Sequence, residues 1–352
     1  MAYQLPEKLQ NLVPYSPLEG DYPIRLDANE SFLSPPPELL QQIGDAVARI
    51  PFNRYPDPYC VALCEKFASF FGVRPSNVVA GNGSDELIGL IVSSFAGAGD
   101  RMAVVKPDFS MYAFYAQAAG VSVEVFEKPA ETLALDADAL VAFARERDVR
   151  LVILSNPCNP TSLSASRESV LRIVEGLPDR LVVIDEAYMD FSTGSILDVV
   201  DRYDNLIVLK TCSKAFGMAA IRLGFAVSHP TLAIALKAAK PPYNVNSMTQ
   251  AIGCLLFDNP DYLRACTRQI VESRDRLYRE MKRLAEEKSG LLEVVESCAN
   301  FVFARFADPR RVFEQAGKRG IALRYMPPYL RISAGSEAET DTLLGALRQI
   351  LT

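Results

Sequence analysis

The feature that most restricts the fold is an alternation of short apolar runs with helical segments, from residue 78 to about residue 230. Several runs are continuous, as expected of strands covered on both faces. Regular alternation of strands and helices is typical of an α/β domain with a largely parallel sheet. The predicted strands span 78–80, 102–105, 121–126, 151–154, 181–184, 206–209 and 224–227.

The remainder of the chain predicts two further parts. Closely spaced prolines exclude long helices before residue 37, so this segment is expected to be an extended arm. After the sheet region, a long amphipathic helix over 261–287 precedes short strands and helices, the pattern of an α+β domain. We therefore expect an arm over 1–36 that packs with the small domain or a partner subunit, a large domain over 37–245 and a small domain over 246–352.

The composition is that of a globular protein, with 49% hydrophobic residues and a formal net charge of −6. The absence of a long basic run argues against nucleic acid as a partner. No segment has the pattern of a membrane span or a signal peptide, so we expect a cytoplasmic protein with reduced cysteines. A single histidine, His229, leaves no two-histidine metal site, and no metal is expected.

Three predicted strands end in polar clusters. These are 155–161, 185–188 and 210–214, which follow successive apolar runs. Open α/β sheets bind ligands outside the carboxyl ends of their strands, so the clusters should face one crevice. Any one cluster alone would be read as an ordinary loop. Three in series favour a functional site.

The first strand of the region runs into Gly81-Asn82-Gly83-Ser84-Asp85-Glu86, which precedes a helical segment. A glycine-rich turn at a helix N-terminus offers free backbone N–H groups to an anion. The third glycine of a dinucleotide fingerprint is missing, and no Gly-Lys-Ser/Thr follows. The turn therefore favours a monophosphate over a pyrophosphate.

Four motifs in order resemble those of the aspartate-aminotransferase superfamily, the fold-type I pyridoxal-phosphate enzymes. They are Asn159-Pro160-Thr161, Asp185-Glu186-Ala187-Tyr188, Ser213-Lys214-Ala215-Phe216 and Arg222-Leu223-Gly224-Phe225. The resemblance implies an α/β fold whose large domain has a mostly parallel seven-stranded sheet between helices, together with a smaller α+β domain. It also implies pyridoxal 5'-phosphate as cofactor.

The resemblance assigns roles to single residues. Lys214 condenses with the cofactor aldehyde and later moves the proton on the substrate carbon. Asp185 faces the pyridine nitrogen and keeps it protonated. Asn159 and Tyr188 donate hydrogen bonds to the phenolic oxygen, and Phe109 stacks on the ring where the family often has tyrosine. The cofactor phosphate is expected to meet the backbone of Gly83, Ser84 and Asp85, the hydroxyls of Thr211 and Ser213, and Arg222.

A narrower resemblance is to the histidinol-phosphate aminotransferase family. It is carried by Asn11-Leu12-Val13-Pro14-Tyr15, Leu26-Asp27-Ala28-Asn29-Glu30, Asn53-Arg54-Tyr55-Pro56-Asp57 and the 241–246 loop. It implies a homodimer in which Tyr55 and Tyr15 reach the partner's site, at the cofactor phosphate and the substrate phosphate respectively. By the same resemblance, Asn29 is expected to contact the substrate, Arg331 to clamp an α-carboxylate and Arg324 to meet the substrate phosphate.

The activity implied is amino-group exchange between L-histidinol phosphate and 2-oxoglutarate. Threonine-phosphate decarboxylase and a broader aromatic or aliphatic transaminase are alternatives with the same fold and cofactor. A cofactor-binding regulatory protein and a nicotinamide enzyme are alternatives of other classes, and the joint presence of Asp185, Lys214 and Arg222 argues against both. Cys158, Ser162 and Ala220 depart from the family pattern, which usually has asparagine, glycine and glycine there.

Overall fold

The computed structural model describes residues 3–10, 12–14 and 16–351. Tyr15, expected in the partner's site, lies outside the described residues. No helix in these ranges is long and apolar enough to cross a membrane. The strands of the described chain are β1 Ile24–Arg25, β2 Val78–Asn82, β3 Arg101–Lys106, β4 Ser122–Glu127, β5 Leu151–Ser155, β6 Leu181–Asp185, β7 Leu206–Thr211, β8 Leu223–Ser228, β9 Leu291–Val295, β10 Phe301–Phe306, β11 Ile321–Ala322, β12 Arg324–Met326 and β13 Tyr329–Ser333.

Helices alternate with the strands of the first half and flank those of the second. They are α1 Glu7–Gln10, α2 Pro37–Ala48, α3 Val61–Phe71, α4 Gly83–Phe95, α5 Met111–Ala119, α6 Ala137–Glu146, α7 Arg167–Gly176, α8 Pro230–Ala239, α9 Ser247–Phe257, α10 Pro260–Glu287, α11 Pro309–Gly317 and α12 Glu337–Ile350. Short 3-10 turns lie at Pro75–Asn77, Met189–Phe191, Leu197–Arg202 and Ala219–Ile221.

The larger sheet has seven strands in the order β2-β8-β7-β6-β5-β3-β4. Strand β8 is antiparallel to both of its neighbours, and the other neighbouring pairs are parallel. Each strand predicted here is present, with its ends shifted by no more than two residues. The prediction of a mostly parallel seven-stranded sheet is confirmed.

The two faces of this sheet belong to two separate cores. In β6, Val182 and Ile184 join a core that includes residues of α3, α6 and α7, whereas Val183 joins the core of α4 and α5. Successive residues of a strand point to opposite faces, so an uninterrupted apolar run supplies both cores. Helical cover on both sides leaves the strand ends as the place where polar side chains can meet a ligand.

A second, antiparallel sheet has the order β12-β13-β10-β9. Leu277 and Met281 of α10 and Leu347 of α12 belong to the core that forms with it. Near the N-terminus, β1 pairs in parallel with β11, with Ile24 opposite Ile321. The strands β1, β11 and β12 were not predicted, because segments of two or three residues are too short to show the alternation of apolar and polar residues that indicates a strand. The domain boundaries at 36 and 245 stay a prediction.

Candidate active site

The order of the strands brings the three polar clusters together. Strands β5, β6 and β7 are neighbours, with Ser155 opposite Asp185 and Asp185 opposite Leu209 in register. Because the three strands are parallel, the clusters that follow them lie at the same edge of the sheet. The expectation that the clusters lie together at one edge of the sheet is met, and a shared crevice stays a prediction.

Asp185 is buried at the end of β6, with 4% of its surface exposed. Its Oδ1 accepts a hydrogen bond from the Ala187 backbone N–H at 3.0 Å, and its Oδ2 accepts one from the Tyr112 hydroxyl at 2.9 Å. Burial raises the pKa of this carboxyl to about 6. Two donors thus fix the orientation of the carboxylate, which forms no ion pair with any of the described residues. This suits it to a protonated ring nitrogen.

Lys214 follows β7 and reaches across to the N-terminal segment. Its Nζ donates to the Ala28 carbonyl oxygen at 3.2 Å and lies 5.9 Å from the centre of the Tyr188 ring. Burial, followed by the charge of Arg331, lowers the pKa of this amine to about 8. Part of the amine population is therefore neutral near physiological pH, as a nucleophilic lysine requires.

Four buried side chains connect the strand-end clusters with the small sheet. Arg331 donates to Asn159 Oδ1 at 2.5 Å and to the Asp27 carbonyl oxygen at 2.7 Å. Asn29 Nδ2 donates to the Tyr188 hydroxyl at 2.9 Å, and burial raises the pKa of that phenol. Since Arg331 engages the amide oxygen of Asn159, the amide nitrogen is the end left to donate to a ligand.

The glycine-rich turn and Arg222 form a close-packed cradle. Gly83 has φ +79°, and a Cβ there would lie 2.9 Å from the Arg222 guanidinium. A Cβ at Gly224 would overlap the backbone nitrogen of Ser84. Arg222 Nη1 is 3.5 Å from Ser213 Oγ. The predicted phosphate residues therefore come together, with backbone N–H groups at the start of α4 beside a guanidinium.

Two of the predicted phosphate contacts have internal interactions of their own. Thr211 Oγ1 accepts the Ser213 backbone N–H at 3.2 Å, which leaves its hydroxyl proton for another acceptor. Asp85 accepts the Tyr115 hydroxyl at 2.8 Å through Oδ2, while its buried Oδ1 has no hydrogen-bond partner in the structure. The backbone of Asp85, rather than its carboxylate, is the part that suits an anion.

Phe109 follows β3 and packs edge-on against Tyr112, with ring centres 5.5 Å apart.

The loop after β5 contains Ser162, where the family usually has glycine, and this serine has φ +65°. Its Oγ donates to the Glu296 carbonyl oxygen at 3.0 Å. Serine thus adopts the left-handed conformation that favours glycine, held by a side-chain hydrogen bond.

The two C-terminal arginines predicted for the substrate are cross-strand neighbours. Arg324 in β12 lies directly opposite Arg331 in β13. Side chains of directly opposed residues project from the same face of a sheet. The short link between them in the sequence is therefore a hairpin that presents both guanidinium groups to one side.

Tyr55 is separated from the residues described above. Its side chain is 81% exposed and stacks on Tyr243, with ring centres 4.6 Å apart. No contact of Tyr55 with the cradle of Gly83 and Arg222 is seen within this single chain.

Tyr112 and Asp108 contact the predicted site residues but were not predicted from the sequence. Asp108 accepts hydrogen bonds from Ser155 and from the Phe109 backbone. Asp108 follows the end of β3, so the strand-end argument applied to the other clusters was a signal for it. Tyr112 lies within α5, where an aromatic ring is expected to pack in the core. Nothing in the sequence indicated that its hydroxyl would bind a site residue.

Comparison with known proteins identifies the family. The model of the family described as aminotransferase class I and II matches residues 22–347. The chain belongs to this family. Histidinol-phosphate aminotransferase of Clostridium kluyveri is 37% identical over 350 residues, which is 98% of each chain. That of Thermococcus gammatolerans is 36% identical over 98% of this chain and 96% of its own.

Solved structures agree with the aminotransferase fold. Histidinol-phosphate aminotransferase of Sinorhizobium meliloti, in complex with pyridoxal-5'-phosphate, is similar with a TM-score of 0.88 at 26% identity, over 99% of this chain and 97% of that one. L-threonine-O-3-phosphate decarboxylase of Porphyromonas gingivalis has a TM-score of 0.78 at 19% identity, over 93% of this chain and 98% of that one, which shows the shared fold alone. This aminotransferase therefore has the fold-type I architecture that the motifs implied.

Proposed function

We propose that this aminotransferase exchanges the amino group between L-histidinol phosphate and 2-oxoglutarate in histidine biosynthesis, with pyridoxal 5'-phosphate as cofactor. The observation that carries the proposal is the convergence of a lysine amine, a buried carboxylate and an anion cradle, Lys214, Asp185 and Arg222, in a chain related over its full length to histidinol-phosphate aminotransferases.

The residues present fit the cofactor. Gly83 and Gly224 allow the start of α4 and the Arg222 guanidinium to pack closely together, because a Cβ at either position would collide with these atoms. A guanidinium beside the backbone N–H groups of a helix N-terminus is suited to a phosphate. Asp185 is a buried carboxylate fixed by two neutral donors, and it forms no ion pair within the described part of the chain, as a protonated pyridine nitrogen requires. When bound, pyridoxal phosphate supplies an electron sink for negative charge on the substrate carbon.

The proton on the substrate carbon is then the task of Lys214. An amine whose pKa is lowered to about 8 accepts a proton and returns it with little cost near neutral pH. Arg331 fixes the side chain of Asn159 and Asn29 fixes that of Tyr188, and the Tyr188 ring lies 5.9 Å from the Lys214 amine. These contacts restrict where the proton can be delivered.

Substrate recognition is assigned to the hairpin of β12 and β13. Arg331 is proposed to bind the carboxylate of glutamate and 2-oxoglutarate, since a planar guanidinium pairs with a carboxylate in two-point fashion. Arg324, on the same face of the hairpin, is proposed to bind the phosphate of L-histidinol phosphate. The proposed role of Tyr15 from a partner chain concerns a residue outside the described ranges.

We also propose that the enzyme works as a homodimer in which Tyr55 completes the partner's phosphate site. Tyr55 is exposed together with Phe52, Tyr59 and Val61, which lie near it in the sequence, and with Tyr243, on which its ring stacks. Apolar side chains exposed close together are typical of a surface that contacts another protein. Within its own chain Tyr55 makes no contact with the cradle, so a role at a phosphate requires a second copy. The cytoplasmic location expected from the sequence stays a prediction.

The first test is the absorption spectrum of the purified protein with pyridoxal phosphate, before and after addition of L-histidinol phosphate. A visible band that bleaches with this substrate and returns with 2-oxoglutarate supports both cofactor and substrate. Bleaching by O-phospho-L-threonine with release of carbon dioxide would favour the decarboxylase. A band that responds only to other amino acids would favour the broader transaminase, and no band at all would overturn the proposal.

A further inference from the structure

We propose that Asp108 is a positioning residue that fixes Phe109 and Asn159, the ring-stacking and ring-oxygen contacts, through a single carboxylate. The inference deepens the proposed function and rests on it for the meaning of those two contacts. The hydrogen bonds themselves are independent of any ligand.

One arm of the carboxylate holds the stacking residue. Asp108 Oδ1 accepts the backbone N–H of Phe109 at 2.7 Å. This bond fixes the peptide that carries the Phe109 ring at the end of β3. The ring also packs against Tyr112, whose hydroxyl binds Asp185.

The other arm crosses to the neighbouring strand. Asp108 Oδ2 accepts the backbone N–H of Ser155 at 3.1 Å, and Oδ1 accepts the Ser155 hydroxyl proton in a short hydrogen bond. Ser155 Oγ in turn accepts the backbone N–H of Asn159 at 3.1 Å. Donation to a carboxylate makes the serine oxygen a better acceptor for the Asn159 amide.

The connection continues to the substrate side. Asn159 Oδ1 accepts from Arg331 at 2.5 Å. Asp108 is thus linked, through Ser155 and Asn159, to the arginine proposed for the substrate carboxylate. No single one of these bonds is unusual, but one acidic side chain at their origin sets the position of both predicted ring contacts.

The geometry requires an aspartate. Three donors, two backbone N–H groups and one hydroxyl, converge on the two oxygens. Asparagine offers one acceptor oxygen, and its NH2 group would face a backbone N–H. Burial raises the pKa of Asp108 to about 6, and the charge of Lys128 acts in the opposite direction. Lys128 itself is buried and donates to Cys158 Sγ at 3.2 Å.

The test uses Asp108→Asn and Ser155→Ala, with Asp136→Asn as the control. Asp136 makes one cap hydrogen bond at the start of α6, to the Ala139 N–H, so its variant makes the same chemical change away from the site. Ser155→Ala removes only the hydroxyl link and serves if Asp108→Asn does not fold.

Hydrogen–deuterium exchange of the cofactor-free protein is the first readout. We expect faster exchange in peptides containing Phe109 and Asn159 for Asp108→Asn, in the Asn159 peptide alone for Ser155→Ala, and in neither for the control. Unchanged exchange at Asn159 in both site variants would overturn the inference, whether or not the protein binds a cofactor.

Cofactor binding is the second readout. The Kd for pyridoxal phosphate should rise about 10-fold or more in Asp108→Asn, as for loss of a hydrogen bond to a charged group. The midpoint pH of the visible band should move upward, because a less ordered Asn159 donates less well to the ring oxygen. The increase in Kd for the double variant, Asp108→Asn with Ser155→Ala, should be smaller than the sum of the two single effects on the free energy of binding. Both changes interrupt the same connection from Asp108 through Ser155 to Asn159. A wild-type band with unchanged Kd and midpoint in Asp108→Asn would reject the inference and leave the proposed function standing, whereas a wild type without a band would reject the proposed function.

Discussion

Tyr112 donates a hydrogen bond of 2.9 Å to Asp185 Oδ2, from a helix that packs on the sheet to the end of the strand that carries Asp185. The second oxygen of the carboxylate is held by the Ala187 backbone. Neither donor carries a charge, so the carboxylate is oriented without being neutralised. The cofactor-free protein therefore contains a buried group that is prepared for a cation.

This arrangement predicts that Asp185→Asn stabilises the cofactor-free protein at alkaline pH. Asparagine keeps both bonds, accepting from Ala187 and donating to the Tyr112 oxygen. The folded-state pKa of Asp185, about 6, lies above the ordinary 3.8. A carboxyl with a raised folded pKa stabilises the fold below the unfolded pKa and loses that contribution as pH rises through about 6.

At pH 8 the variant should therefore exceed the wild type by roughly 1–3 kcal/mol, and the difference should vanish near pH 4. Thermal or urea unfolding of the two cofactor-free proteins at several pH values measures it, with Asp136→Asn as a charge-matched control. The same variant should bind pyridoxal phosphate more weakly. A variant that is less stable than the wild type at pH 8 would contradict the account.

The sequence was sufficient for the parts of the site that stand at strand ends. Asp185 and Lys214 follow uninterrupted apolar runs, so both their burial and their shared edge could be derived from the period of the strands. The contact of Tyr112 with Asp185 could not be derived, because packing of the ring alone accounts for a tyrosine on an apolar helix face. That Arg324 lies opposite Arg331 depends on the register between β12 and β13. This register could not be predicted, because β12 is too short for its sequence to show which strand it pairs with.

The lowered pKa of Lys214 predicts the pH dependence of its reaction with pyridoxal phosphate. Only the neutral amine is nucleophilic, so covalent capture should speed up with pH and level off above about 8. An ordinary lysine would still be gaining rate at pH 10. Capture is measured by stopping the reaction with borohydride and quantifying the modified Lys214 peptide by mass spectrometry.

A second variant identifies the cause of this shift. After burial, the charge of Arg331 is the largest influence that lowers the pKa of Lys214. Arg331→Met should therefore move the midpoint upward, whereas Arg319→Met, at an exposed position after α11, should leave it in place. A rate that rises without levelling in the wild type would show that the amine is not perturbed.

The hairpin of β12 and β13 predicts that its two arginines bind different groups of the substrates. Arg331→Lys should raise the KM for both glutamate and 2-oxoglutarate by about 10- to 100-fold, because an ammonium cannot pair with a carboxylate in two-point fashion. Arg324→Gln should raise the KM for L-histidinol phosphate by a similar factor and leave 2-oxoglutarate unaffected. Each half-reaction is measured separately by single-turnover absorbance. Equal effects of Arg324→Gln on both substrates would place this arginine elsewhere.

The exposed Tyr55 predicts a site that is shared between subunits. Tyr55→Ala and Lys214→Ala should each be nearly inactive at limiting cofactor, for lack of a phosphate contact and of the catalytic amine. When the two variants are unfolded together and refolded, half of the dimers are mixed. If Tyr55 acts on the partner's site, each mixed dimer contains one site with neither defect, so about a quarter of the wild-type activity should return. If Tyr55 acts within its own chain, every site in a mixed dimer carries a defect and no activity should return. Because Tyr55 is 81% exposed and contacts Tyr243 rather than the cradle of its own chain, we expect recovery.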